Sequence, residues 1–400
     1  MNKFTIVIQA SSTSWSGGQD DCLKILNGKT ILENTIDKII NDFDEQINKI
    51  WVIAPEFDSG GLDKIVNKYE SNINIELFYG FNESPLMRMK HVANGLNDYE
   101  VILRLNGLNF CLDSHAAKEN LQKAQKENID CIKFPDNFPA LFTSDVYRVG
   151  ALRKTADIGN LDSKWHIHPK YFMEFNENYV VSEYLPNMEK YTDKLLSDVR
   201  EKCIESMHEK RVKVVKSKSI KSGDTIVHHY QMSLNYLNKK MKVLDLACGD
   251  GFGAQIIANH VQEIFALDND AEIINCSRAK NKFTNLKFTN GDALNMPFED
   301  NVFDAILAFE ILEHLDPDKL LSEIYRTLKT DSLLILSTPQ NLLGHIPLTA
   351  DHSFEFSHAN LREKISKLFS IEEFVGIKQG TISFQGIEIG ANSFVVARKI

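Results

Sequence analysis

Residues 243–253 constrain the fold more than any other stretch. Val243-Leu244-Asp245-Leu246-Ala247-Cys248-Gly249-Asp250-Gly251-Phe252-Gly253 is an apolar strand that stops at a glycine-rich turn and passes into a helical pattern. A buried strand turning straight into a helix is the first half of a βαβ unit, and such units build parallel sheets covered by helices. The glycines let backbone pass close to a ligand. Two later strands end in acids, at Ala266-Leu267-Asp268-Asn269 and at Asn290-Gly291-Asp292-Ala293. Ligands of open parallel sheets sit beyond the carboxyl ends of the strands, so these acids are expected along one binding edge, with Asp268 able to accept both hydroxyls of a ribose.

The same alternation runs through the whole chain of 400 residues, too long for one ordinary domain. Strands are expected near 4–9, 49–53, 73–78, 101–105 and 130–134, then near 242–247, 263–267, 286–290, 305–309, 333–337, 370–375 and 393–398. Helices are expected at 31–40, 62–69, 86–96 and 114–127. The Lys- and Ser-rich run 214–223 reads as a linker, giving two α/β domains, 1–213 and 214–400. The net charge of −10 argues against a protein that coats nucleic acid or anionic membrane. Six scattered cysteines form no Cys-x-x-Cys pair, and no apolar run is long enough to span a bilayer. The opening residues run into a strand and not into a signal peptide. A cytoplasmic protein without a membrane span is expected.

Over residues 225–400 the sequence resembles the class I S-adenosylmethionine-dependent methyltransferases, with a seven-stranded sheet. The resemblance implies that Asp245, Ala247 and the turn from Gly249 through Gly251 to Gly253 cradle the methionine part of the cofactor. It also implies that Asp268 and Asn269 bind the ribose, that Asp292 and Ala293 meet the adenine, and that Phe309 borders the cofactor. Residues 223–232, with His228, His229 and Tyr230, are similar to the helix that caps the cofactor in sugar-linked members.

The fourth strand runs into Glu310-Ile311-Leu312-Glu313-His314-Leu315. A helical turn there would put Glu310, Glu313 and His314 on one face. Downstream comes Asp351-His352-Ser353-Phe354-Glu355-Phe356. Carboxylates and imidazoles of this kind suit a divalent ion such as Mg²⁺ or Mn²⁺. Glu-x-x-Glu-His followed by Asp-His-x-Phe-Glu resembles the metal-dependent ribose 2′-O-methyltransferases that act on the 3′ end of small RNAs, and its first part the ubiquinone-pathway O-methyltransferases. That resemblance implies Glu310, Glu313, His314 and His352 as metal ligands; the alternative is a Glu-His pair that is only packed or hydrogen-bonded. Catalytic roles are expected at His314 and Glu310. His345 and the pair His228-His229 are candidate bases for a hydroxyl proton.

The first half, over about residues 1–190, resembles the sugar-nucleotide cytidylyltransferases, with a GT-A-like sheet. Where that family carries arginines and a lysine to grip a triphosphate, residues 10–21 bring Asp20 and Asp21 and no arginine. Where it carries a magnesium-binding acid, in the segment Arg104-Leu105-Asn106-Gly107-Leu108-Asn109, this chain has Leu108. A domain that has lost nucleotidyl transfer is expected. Together the halves point to an O-methyltransferase acting on a sugar hydroxyl, in surface polysaccharide or modified-sugar biosynthesis, with a sugar nucleotide or glycan as substrate. The alternatives are an RNA 3′-terminal ribose 2′-O-methyltransferase, disfavoured by the acidic balance, and a cofactor-binding scaffold. Homo-oligomerisation is left open.

Overall fold

A computed structural model describes residues 3–13, 19–207 and 224–400. The chain divides into two compact units, Met1–Met207 and His208–Ile400. The expected linker 214–223 and the expected boundary at 213 lie outside the described residues, as do residues 14–18 of the loop after the first strand.

The first unit is built on a seven-stranded mixed sheet. Its strands are β1 (Phe4–Gln9), β2 (Ile47–Ala54), β3 (Ile75–Tyr79), β4 (Val101–Asn106), β5 (Cys131–Lys133), β6 (Asp145–Arg148) and β7 (Val181–Glu183), in the order β3-β2-β1-β4-β6-β5-β7. β3, β2, β1 and β4 run parallel, whereas β6 lies antiparallel to β4. Helix α1 (Ile31–Phe43) starts at a capping box in which Thr30 and Glu33 satisfy each other's backbone amides. It packs Leu32, Ile36 and Ile39 against one face of the sheet, and α2 (Ser114–Glu127) adds Ala117 and Leu121 there. β6 and β7 were not expected. They are short, and β6 stands directly before the helix Val149–Ala156, so periodicity gives them little signal. Of the helix expected at 62–69, only Asp63–Val66 is helical.

The second unit carries an eight-stranded sheet. Its strands are β8 (Lys242–Leu246), β9 (Glu263–Asp268), β10 (Leu286–Asn290), β11 (Phe303–Phe309), β12 (Leu328–Pro339), β13 (Phe369–Gln379), β14 (Ile382–Ser383) and β15 (Asn392–Lys399), in the order β10-β9-β8-β11-β12-β15-β13-β14. The eighth strand, beyond the expected seven, is the two-residue edge β14. β10 through β12 are parallel and β15 is antiparallel to both neighbours. Alternate residues feed two cores: Leu244, Ile306 and Leu334 on one face, Val243, Leu307 and Ile335 on the other. Each such side chain, fully buried, contributes about 1.5–3 kcal/mol. All five parallel strands end at one edge, where the candidate site lies.

Candidate functional site

The cofactor edge is held together by its own backbone. Gly249 adopts φ +55°, and its amide donates to Asp268 Oδ2 at 2.9 Å, so the tip of β9 pins the turn after β8. A Cβ on Gly249 would meet nothing within 4 Å, which leaves open volume beside Asp268. Ala247 also has a positive φ, +58°, a conformation that costs an L-residue about 1–2 kcal/mol. Asn269 and Asp292 are exposed at the same edge, and Ala293 is buried beside Asp292.

Asp245 is fully buried. Tyr230 donates its hydroxyl to Asp245 Oδ1 at 2.9 Å, and the second carboxylate oxygen has no well-formed hydrogen bond. Burial pushes this carboxyl up to about 7, against the lowering pull of the Tyr230 hydroxyl. An unsatisfied buried acceptor next to the open turn fits the ammonium end of an S-adenosylmethionine molecule. Tyr230 sits on α4 (Thr225–Ser233), the helix expected to cap the site. Its ring occupies the space where a Cβ on Gly253 would stand, only 2.0 Å away, so this glycine is what lets α4 lie on the turn. Phe309 is buried, with its ring against Tyr230 and Phe394.

Residues 310–315 are a turn, not the expected helix. Pro317 occupies the first helical position of α7 (Pro317–Thr327) and Asp316 caps it, so the helix starts only there. Glu310 has φ +52°, which breaks the chain direction just after β11. The Glu310, Glu313 and His314 side chains therefore do not share one helical face. Glu313, His314 and His352 do come together, with one ligand atom of each within 4.8 Å of the others. The amides of Ser353 and Phe354 donate to the Glu313 carbonyl at 2.8 and 3.0 Å, and this docks the His352 loop on the turn. Glu310 is not a member of this group, contrary to the four-ligand expectation.

Each donor is oriented by a second partner. Thr338 Oγ1 donates to Glu313 Oε2 at 2.8 Å. His314 Nδ1 lies 3.1 Å from the Asp351 carbonyl, and His352 Nδ1 3.0 Å from Glu355 Oε1. Both imidazoles thus donate Nδ1–H to an oxygen that fixes the ring, the outer-partner arrangement usual around protein-bound metals. Glu355 also accepts from the Thr349 amide and from Asn341 Nδ2, and together these bonds hold its carboxyl below the usual range although burial opposes them. Glu355 and Thr338 were not expected to matter; Glu355 stood inside the Asp-His-x-Phe-Glu run. Burial, with the Glu310 charge added, pushes the Glu313 carboxyl up, which marks a site short of positive charge. Two imidazoles and one carboxylate are poorly matched to Mg²⁺, which prefers an all-oxygen shell; Mn²⁺, also hard but higher in the affinity series for nitrogen donors, is the better fit of the two.

Glu310 belongs to a different network. Ser337 Oγ donates to its Oε1 at 2.7 Å, and Asn392 Nδ2 reaches both carboxylate oxygens at 3.1 Å. His229 Nδ1 lies 2.9 Å from Ser337 Oγ. Burial drives the His229 imidazole down to about 3, so it is neutral. Of the three candidate bases, only His229 joins this network. His228 lies against Ser383, and His345 is exposed in the loop after β12. Ser337 and Asn392 were illegible in the sequence.

A family model of the methyltransferase domain matches residues 244–336. The ubiquinone/menaquinone biosynthesis C-methyltransferase UbiE of Campylobacter jejuni is 32% identical over 197 residues, covering 42% of this chain and 83% of that protein. The chain belongs to the S-adenosylmethionine-dependent methyltransferases. S-adenosylmethionine is accordingly the methyl donor. A demethylmenaquinone methyltransferase of Staphylococcus aureus is 31% identical over 161 residues, 38% of this chain and 65% of that protein. A probable S-adenosylmethionine-dependent methyltransferase of Mycolicibacterium smegmatis is 28% identical over 144 residues, 34% of this chain and 55% of that protein. The chain thus spans about half the length of this relative.

In the first unit, the loop after β1 is tied down by an acid. Asp58 accepts from the Ser12 amide and hydroxyl, both at 2.8 Å, and from the Ser11 hydroxyl. Arg104 is committed to Gln9 and Asn106 and pairs with Asp145 at 3.4 Å. No helix among the described residues is long and apolar enough to cross a membrane.

Proposed function

We propose that the second unit transfers the methyl group of S-adenosylmethionine to a sugar hydroxyl, assisted by a divalent ion held by Glu313, His314 and His352. The observation that carries this reading is the orientation of those three donors by Thr338, Asp351 and Glu355. When bound, the cofactor supplies an electrophilic methyl, and the ion would lower the pKa of an acceptor hydroxyl, an otherwise poor nucleophile. The chain's own residues do the rest. Gly249 and Asp268 shape the cofactor turn, Asp245 offers an acceptor to its ammonium end, and α4 with Tyr230 keeps water from the turn.

The sugar assignment rests on the resemblance of the first unit to sugar-nucleotide enzymes, which also supports a context in surface polysaccharide or modified-sugar biosynthesis. We read the first unit as a GT-A-like domain without nucleotidyl transfer, because Asp20, Asp21 and Asp58 surround the loop where a triphosphate needs cations. The relatives' names include both C- and O-methyltransferases, so the acceptor atom is a proposal here. The test is transfer of labelled methyl from S-adenosylmethionine to a panel of sugar nucleotides, methyl glycosides and small RNAs, in EDTA and with Mn²⁺ restored. Label on a sugar only with Mn²⁺ supports the reading. Label on RNA alone would replace it with the ribose 2′-O-methyltransferase reading, and full activity in EDTA would remove the ion.

A further inference from the structure

A cavity of about 360 Å³ opens at the same strand edge, lined among others by Ile226, His229, Glu310, Pro339, Ile377 and Asn392. Its polar wall is one-sided. Asn392 spends its NH₂ group on Glu310, and its Oδ1 has no partner; His229 Nε2 has none either. The hydrogen bond from Ser337 to Glu310 fixes the direction of the chain: Ser337 gives its proton to the carboxylate, so it accepts from His229 Nδ1–H, and His229 presents a bare lone pair at Nε2. Glu310, one of the lining residues, adds carboxylate oxygens, and its side chain is 31% exposed. Among the described residues, no lysine or arginine lines the cavity. Thr225 and Gln379 also line the cavity, but its unpartnered buried atoms and its carboxylate are acceptors, a wall that favours a group rich in donors and disfavours phosphate and carboxylate.

The cavity neighbours the three-donor group, since Glu310 lies near enough to feel His352 and Glu313, but the two carboxylates are held by different partners. Ser337 and Thr338 are consecutive on β12, so their side chains leave on opposite faces. Ser337 engages Glu310, whereas Thr338 engages Glu313. The two carboxylates that the sequence pairs are thus oriented by partners on opposite faces of β12.

Resting on the proposed sugar methylation, we propose that this cavity is the acceptor pocket, that it takes an uncharged hydroxyl-bearing sugar ring, and that Glu310 reads the ring's hydroxyls instead of ligating the ion. Apolar contact from Ile226 and Ile377 supports the ring's carbon faces, and any phosphate of a sugar nucleotide stays outside. Glu310 is here a binding residue, oriented by Ser337 and Asn392.

The experiment separates the two carboxylates in the full chain with S-adenosylhomocysteine present. Mn²⁺ binding is followed by the free-ion electron paramagnetic resonance signal. Binding of the methyl glycosides of glucose, galactose and mannose, and of the matching sugar 1-phosphates, is followed by ligand-observed NMR. Glu310→Gln, which keeps the shape of the side chain, is expected to weaken glycoside binding at least tenfold while leaving Mn²⁺ affinity within threefold. Glu313→Gln is expected to do the reverse. Loss of Mn²⁺ in Glu310→Gln would overturn the inference and restore Glu310 to the metal shell, with the proposed function intact. If wild type binds no Mn²⁺ but Glu310→Gln still loses the glycoside, the inference stands and the ion fails. Binding of none of the glycosides, or tenfold preference for the phosphates, overturns the uncharged-sugar assignment.

Discussion

The two units carry parallel strands to an edge of the same kind and furnish those edges in opposite ways. After β1, Ser11 and Ser12 are bound down by Asp58, and Asp20 caps the next turn. After β8, the turn leaves open volume beside Gly249, Asp245 keeps an unsatisfied oxygen, and Asp268 holds the loop by one bond. An α/β sheet supplies a place for a ligand; the loop residues decide whether one can be bound there. On the proposed reading, acids in the first unit occupy the place where a nucleotide would need cations. In the second the acids stand where an amine and a ribose would meet them.

The contrast can be broken most sharply at Glu313. Glu313→Ala is expected to lower methyl transfer by about 10²-fold or more while S-adenosylmethionine affinity, by calorimetry, stays within about threefold, because the loss falls on acceptor activation. Equal losses in both would make Glu313 part of the cofactor site. Next in size is Asp268→Ala, expected to weaken cofactor binding by about 1–3 kcal/mol through lost hydrogen bonds to a charged acceptor; unchanged affinity would dissociate the β9 tip from the ribose.

A smaller effect is expected with pH in the cofactor-free protein. The Asp245 carboxyl, pushed up to about 7 by burial, keeps its proton in the folded state where the unfolded chain has released it near its ordinary value of 3.8. The folded state therefore binds more protons between those values, and stability falls as pH rises from about 4 to about 7. Asp245→Asn should flatten that slope in denaturant titrations; an unchanged slope would assign the effect elsewhere. The smallest expectation is no change at all: the full chain incubated with CTP or UTP, Mg²⁺ and a sugar phosphate should release no pyrophosphate. Release would contradict the contrast between the two edges.

Much of this was legible in the sequence because strand periodicity and loop chemistry are local. The glycine turn, the acid at the end of β9 and the helix near 225–232 could be read from residue order, and the approach of His352 to Glu313 and His314 followed from the motif's resemblance to metal-dependent methyltransferases. Glu310 could not be placed. Its fate depends on a positive φ, on Pro317 delaying α7, and on Ser337 and Asn392 from two other strands, and none of these is visible in a spacing pattern. The same holds for Thr338 and Glu355, whose roles exist only once β12 and the His352 loop lie beside the turn. Gly253 illustrates an intermediate case: its presence suggested a ligand loop, whereas its contact is with the Tyr230 ring.

The central claim is that Glu313, His314 and His352 form a metal centre beside the cofactor edge. Titration of the purified full chain with Mn²⁺, read from the free-ion paramagnetic signal, tests it most directly. One equivalent bound by wild type and none by His352→Ala, with both proteins melting cooperatively, is the predicted result. No bound Mn²⁺ in wild type, or undiminished binding in His352→Ala, would contradict it.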